Sequence, residues 1–218
     1  MKEPLPAPLP PETRTVGQLV AESLRLYGRR FWPSLALGLS VAAINQVSAG
    51  RSTLVQVLVL AGGAPLMAAA YTGASAIVGD IRPAPATAAT AIAVGAVVFV
   101  PAAFLSLVYV LPAVAWLALV GLVVPVLVLE RPPVTQAVRR ALQLARADYV
   151  HAVASLATLV ILFGLVKFTL VLLLRDLGDS GERVALALGD LVLSPLLFLG
   201  GALLYVDQAA RVRSSTST

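Results

Sequence analysis

Two ionisable side chains, Lys167 and Asp190, stand inside long apolar stretches of this 218-residue chain. A charge at the centre of a membrane helix costs about 2.5–3.5 kcal/mol on insertion scales, so each needs a partner or a task. Their spacing supplies a partner. The stretches that hold them, 149–174 and 183–206, are joined by a short polar turn, Asp176–Gly181, and should pack antiparallel. Residues whose numbers add to 357 then share a depth. Lys167 and Asp190 meet that condition, part-way in from the outer surface, and so do Arg175 and Glu182 at the mouth of the turn. Three readings stay open: a neutralised pair that fixes helix register, a proton or ion relay, or a lysine that snorkels to the interface alone.

Other chemistry is sparse. The chain has no cysteine and a single histidine, His151, which excludes thiolate sites and a multi-histidine metal centre within one chain. It holds no GxSxG, GxxxxGK or HExxH pattern, so no catalytic residue, metal or cofactor is expected, and the chain reads as a non-enzyme. Glu130, followed by Arg131 and two prolines, closes an apolar run and reads as a local pair or an end cap. Asn45 and Gln46 suit a helix end or an interhelical hydrogen bond. The Gly62-Gly63-Ala64-Pro65 break frees backbone carbonyls that either line a cavity or, as the favoured reading, belong to a kink and are satisfied by neighbouring helices.

The elements that must position these residues follow from composition. Hydrophobic residues make up 59% of the chain and charged ones only 12%, with a mean hydropathy of +0.91. A soluble domain carries roughly 25% charged residues, so lipid must serve as part of the solvent. The fold class is therefore all-α and polytopic, with six expected spans at 31–47, 54–79, 86–107, 111–129, 149–174 and 183–206. The middle two divide an uncharged run, Pro83–Leu129, that is too long for one crossing of a hydrocarbon core about 30 Å thick.

Two further stretches are amphipathic. In 15–30, Val16, Leu19, Val20, Leu24 and Tyr27 form one face, opposite Gln18, Glu22, Arg25 and Arg29, and Thr15 with Gln18 fits a capping box. In 133–148, Val134, Val138, Ala141, Leu142 and Ala145 oppose Arg139, Arg140, Gln143 and Arg146. Each stretch runs into an aromatic residue that opens a span, as an interfacial elbow would. Sliding Val16 onto Val134 also aligns Gln18 with Gln136, Val20 with Val138, Leu24 with Leu142 and Leu26 with Leu144. A duplicated elbow–span–span unit and chance reuse of an apolar alphabet both fit.

Charge distribution sets an expected orientation. With the N-terminus in the cytoplasm, Lys2, Arg14, Arg25, Arg29, Arg30, Arg82, Arg131, Arg139, Arg140, Arg146, Arg211 and Arg213 fall inside. Only Arg51, Arg175 and Arg183 fall outside, which is a positive-inside bias for a multi-pass plasma-membrane protein with both termini cytoplasmic. The Pro-rich residues 1–14 read as disordered and lack the apolar core of a cleavable signal, so the first span is expected to act as the insertion signal. Residues 15–213 form one membrane domain and 214–218 a tail. The elbow arginines, Arg25, Arg29, Arg30, Arg139, Arg140 and Arg146, are expected to hold anionic lipid headgroups. The net charge of +5 is spread beside apolar runs, which argues against nucleic acid; a membrane-protein partner or a second copy stays open.

The run Val124–Val153, VPVLVLERPPVTQAVRRALQLARADYVHAV, resembles the glycerophosphoryl diester phosphodiesterase membrane-domain family of small multi-pass bacterial proteins. The opening TVGQLVAESLRLYGRRFWPSL, the turn Asp80-Ile81-Arg82-Pro83 and the close Leu203–Arg213 are similar to that family as well. Ala141 departs from the serine usual there. The resemblance implies the architecture alone, because in fused members hydrolysis belongs to a separate soluble domain. A lipid-organising or accessory membrane protein is the first functional expectation; a small transporter using Lys167 and Asp190, or a membrane-embedded lipid enzyme, are the alternatives.

Overall fold

Apolar sequence of this density folds as helices, because in hydrocarbon every backbone polar group needs a partner within its own segment. A computed structural model describes residues 10–106, 109–175 and 178–215, without the side chains of 178–180, 182 and 215. Among the described residues there is no strand. The helices are α1 (Val16–Arg29), α2 (Phe31–Ser48), α3 (Thr53–Gly62), α4 (Ala64–Val78), α5 (Pro85–Leu105), α6 (Val110–Val120), α7 (Val123–Leu129), α8 (Val134–Ala147), α9 (Tyr149–Leu174) and α10 (Gly178–Ser215).

Local signals explain the ends of these helices. Thr15 Oγ1 accepts the Gln18 N–H at 3.4 Å while Gln18 Oε1 accepts the Thr15 N–H at 2.7 Å, a complete capping box that starts α1. Asp148 caps α9 by accepting the His151 N–H at 3.0 Å. Helix α4 ends on Asp80 in the left-handed region (φ +46°), with the Ile81 N–H returning to the Ala76 carbonyl at 3.0 Å. Arg131, at φ +57°, ends α7 in a similar way.

Among the described residues four helices are long and apolar enough to span: Pro85–Leu105, Val110–Leu129, Tyr149–Leu174 and Arg183–Ser214, of which the second is formed by α6 and α7. The stretch 54–79, expected as one span, is two helices, α3 and α4, bent by 49° at Gly63; counted together they make a fifth. The 18 residues of α2 extend about 27 Å. Asn45 and Gln46 lower their hydropathy, and α2 is not among the span-grade helices.

Residues 10–14, expected as part of a disordered lead, form a short 3-10 turn (Pro11–Thr13) and a buried Arg14. Arg14 is held because it finds a buried carboxylate, Asp207.

Helix α10 is the central post, packed against α1, α2, α4, α8 and α9. At 38 residues it extends about 57 Å, so its last turns run past the apolar stretch 183–206 and carry Asp207, Gln208 and Arg211. Gly38 brings α2 onto the α10 backbone: a Cβ there would collide with the Leu191 carbonyl. Elbow α8 buries Ala137, Ala141, Leu144 and Ala145 and leaves Arg139 and Arg146 outside. It packs on α6, α7, α9 and α10, whereas α1 packs on α2, α9 and α10.

Candidate functional site

The antiparallel packing of α9 on α10 brings Lys167 Nζ to 2.6 Å from Asp190 Oδ1. The second carboxylate oxygen is engaged from another direction, by Asn45 Nδ2 of α2 at 2.7 Å. Asp190 is 0% exposed and the Lys167 side chain 18%. The Lys167 ammonium also lies 5.2 Å from the centroid of the Phe163 ring, within cation–π range. The Ser194 hydroxyl donates to the Asp190 carbonyl at 2.6 Å. Three helices therefore meet on one carboxylate, with both of its oxygens bonded. Of the two sequence expectations for Asn45, a helix end or an interhelical hydrogen bond, the second holds; its partner depends on α2 lying beside α10.

An apolar cavity of about 280 Å³ lies between the helices. Phe163, Tyr71, Phe99, Leu117 and Phe198 contribute to its wall; Lys167, Asp190 and Asn45 do not. Of the proposed outer-mouth pair, Arg175 caps the end of α9, and the Glu182 side chain lies outside the described residues.

The six elbow arginines divide into two sets. Arg25 Nη1 lies 2.9 Å from Glu22 Oε2, Arg30 Nη2 lies 2.5 Å from Asp80 Oδ1, and Arg140 Nε lies 3.4 Å from Glu130 Oε1. Arg29, Arg139 and Arg146 are exposed, and among the described residues none of them has a carboxylate partner. Glu130 Oε1 also accepts the Tyr205 hydroxyl at 2.7 Å. Asp80 and Glu130 thus sit in separate ion pairs rather than in one cleft with the arginines. On α1, burial raises the Tyr27 hydroxyl above the ordinary tyrosine range.

A polar network absent from the sequence reading joins the end of α10 to both elbows. Arg14 Nη1 lies 2.5 Å from Asp207 Oδ1, and Arg211 Nη1 lies 2.6 Å from Asp148 Oδ2. Arg211 Nη2 donates to the Arg14 carbonyl at 3.0 Å, and Gln208 Nε2 donates to the Asp148 carbonyl at 3.0 Å. The available signal was an aspartate and an arginine four apart, Asp207 and Arg211, at the close of an apolar helix. Among the described residues no cluster of three or more histidines or carboxylates could hold a metal ion.

Compared with known family models, with curated proteins and with solved structures, the chain matches none.

Proposed function

We propose that this chain is a six-span plasma-membrane protein, both termini cytoplasmic, that works without chemistry of its own by organising lipid around a rigid helical frame. The fully engaged Asp190 carboxylate carries this reading: Lys167 and Asn45 occupy both of its oxygens, and the 280 Å³ cavity nearby is apolar and not walled by any of the three. A transport route needs polar groups that can exchange partners along a path. A charge clasp between three helices instead fixes register. In this reading the bent α3–α4 pair is one crossing, and α2 is a short sixth that begins at the interfacial Phe31-Trp32. The positive-inside bias supports the orientation. The resemblance to glycerophosphoryl diester phosphodiesterase membrane domains belongs to the same reading, as a kinship of architecture.

One observation favours transport as a second reading. Phe163 both lines the apolar cavity and lies within cation–π range of the Lys167 ammonium, so rotation of one ring would expose the lysine to that space.

Flux across sealed proteoliposomes separates the two. The clasp predicts the same ion and proton permeability for the wild type, the Lys167→Met/Asp190→Asn variant and protein-free vesicles. A flux present in the wild type and lost in the double variant would overturn the proposal in favour of transport.

A further inference from the structure

Elbow α8 does not seal fully against the helices beneath it. A cavity of about 170 Å³ remains between α8 and the α5–α6 pair, walled by Val94, Val97, Val98, Trp116, Val138 and Leu142 among others. Its one polar edge is already used, because Trp116 Nε1 donates to the Val98 carbonyl at 2.9 Å. A water molecule there would lack the two to four polar partners that hold buried water, whereas an apolar occupant meets valine and leucine.

The helix itself places charge beside this groove. At about 100° per residue, Val138 and Leu142 share one stripe of α8. Arg139 and Arg146 share a second stripe, roughly 70° further round, and both are exposed without a carboxylate partner among the described residues. Arg140 points elsewhere and is occupied by Glu130. The basic pair Arg139–Arg140 is thus divided, with one arginine bound within the fold and one facing out beside the groove.

We infer that the groove between α8 and the α5–α6 pair binds one anionic phospholipid, with an acyl chain along Val97, Trp116 and Val138 and the phosphate on Arg139 and Arg146. The inference rests on the lipid-organising reading above and narrows it to one site and one class of lipid. Arg139 and Arg146 stand about 10 Å apart along α8, and two long guanidinium side chains at that separation supply the charge for a phosphate between them. The apolar wall gives the attached chain a place that bulk bilayer lipid reaches only by entering the groove.

The chain has two tryptophans, Trp32 and Trp116, which permits a direct test. The full chain carrying Trp32→Phe is reconstituted with a low fraction of phosphatidylglycerol or phosphatidylcholine brominated on its acyl chains, and Trp116 emission is read. Brominated phosphatidylglycerol should quench at a severalfold lower fraction than brominated phosphatidylcholine, on a scale of about fivefold per arginine. Arg139→Gln/Arg146→Gln should remove that preference, and Arg29→Gln, on the other elbow, should leave it. Equal quenching by the two lipids means annular contact only and overturns the site, as does a preference that survives the double substitution. The converse variant, Trp116→Phe, reads exposed Trp32. If brominated lipid of either kind quenches Trp32 but the Trp116 preference is missing, the site fails and the membrane reading stands; if neither tryptophan is quenched, the membrane reading fails as well.

Discussion

Arg14 and Asp207, 193 positions apart, form a buried ion pair that ties the segment before α1 to the last turns of α10. Arg211 reinforces the tie by donating to the Arg14 carbonyl while holding Asp148 at the start of α9. Both elbows are thereby fastened to one helix. Removing one partner of a buried pair leaves the other charge desolvated, typically at a cost of about 3–5 kcal/mol. Arg14→Gln should lower the unfolding free energy in detergent by about 3 kcal/mol, and deletion of residues 1–14 should lower it by a similar amount. Loss from the deletion with none from Arg14→Gln would assign the contribution to other N-terminal residues.

Asn45 should contribute through a charged acceptor. A hydrogen bond to an ionised group contributes about 1.5–3 kcal/mol, and Asn45 Nδ2 meets the second oxygen of Asp190. Asn45→Leu is expected to destabilise by that amount in chemical denaturation. In an Asp190→Asn background the same substitution should cost about 1 kcal/mol, because the acceptor no longer carries charge. Equal losses in both backgrounds would separate Asn45 from the clasp.

Gly38 tests the closeness of α2 and α10. Any Cβ at this position runs into the Leu191 backbone, which cannot move aside as a flexible side chain could. Gly38→Val should displace α2 and weaken the Asn45–Asp190 bond, read as a fall in melting temperature larger than that of Asn45→Leu. Gly28, with open space around the corresponding position, is the control: Gly28→Ala should be neutral or slightly stabilising on helix propensity.

The cap of α1 is a local device and gives a smaller effect. Thr15→Ala removes the acceptor for the Gln18 N–H and should destabilise by about 1 kcal/mol in denaturant titration, with Thr15→Ser close to wild type.

These residues also show which parts of the fold sequence could carry. The Thr15–Gln18 cap depends on neighbours three positions apart, so spacing expresses it directly, whereas Leu24, Val134 and Val138, assigned to the apolar stripes of α1 and α8, are exposed and α8 buries Ala137, Ala141, Leu144 and Ala145. The opposition of Lys167 and Asp190 needed one added assumption, an antiparallel pair across a short turn. Asn45 on Asp190, Tyr205 on Glu130 and Arg14 on Asp207 depend on which helices stand side by side, and no local spacing encodes that order. The division of the elbow arginines was hidden for the same reason: Arg30 and Arg140 meet carboxylates from other elements, while Arg25 meets Glu22 within α1. The bend between α3 and α4 was visible as Gly62-Gly63 and Pro65, but its angle of 49° comes from packing.

The proposed role of Lys167 and Asp190 as a structural clasp is tested most directly by a double-mutant cycle on unfolding in lipid or detergent. Lys167→Met and Asp190→Asn should each destabilise by about 3 kcal/mol, and the double variant should regain most of that loss because no uncompensated charge remains. Losses that simply add, leaving the double variant worse than either single one, would show that the two side chains are not coupled and would contradict the account.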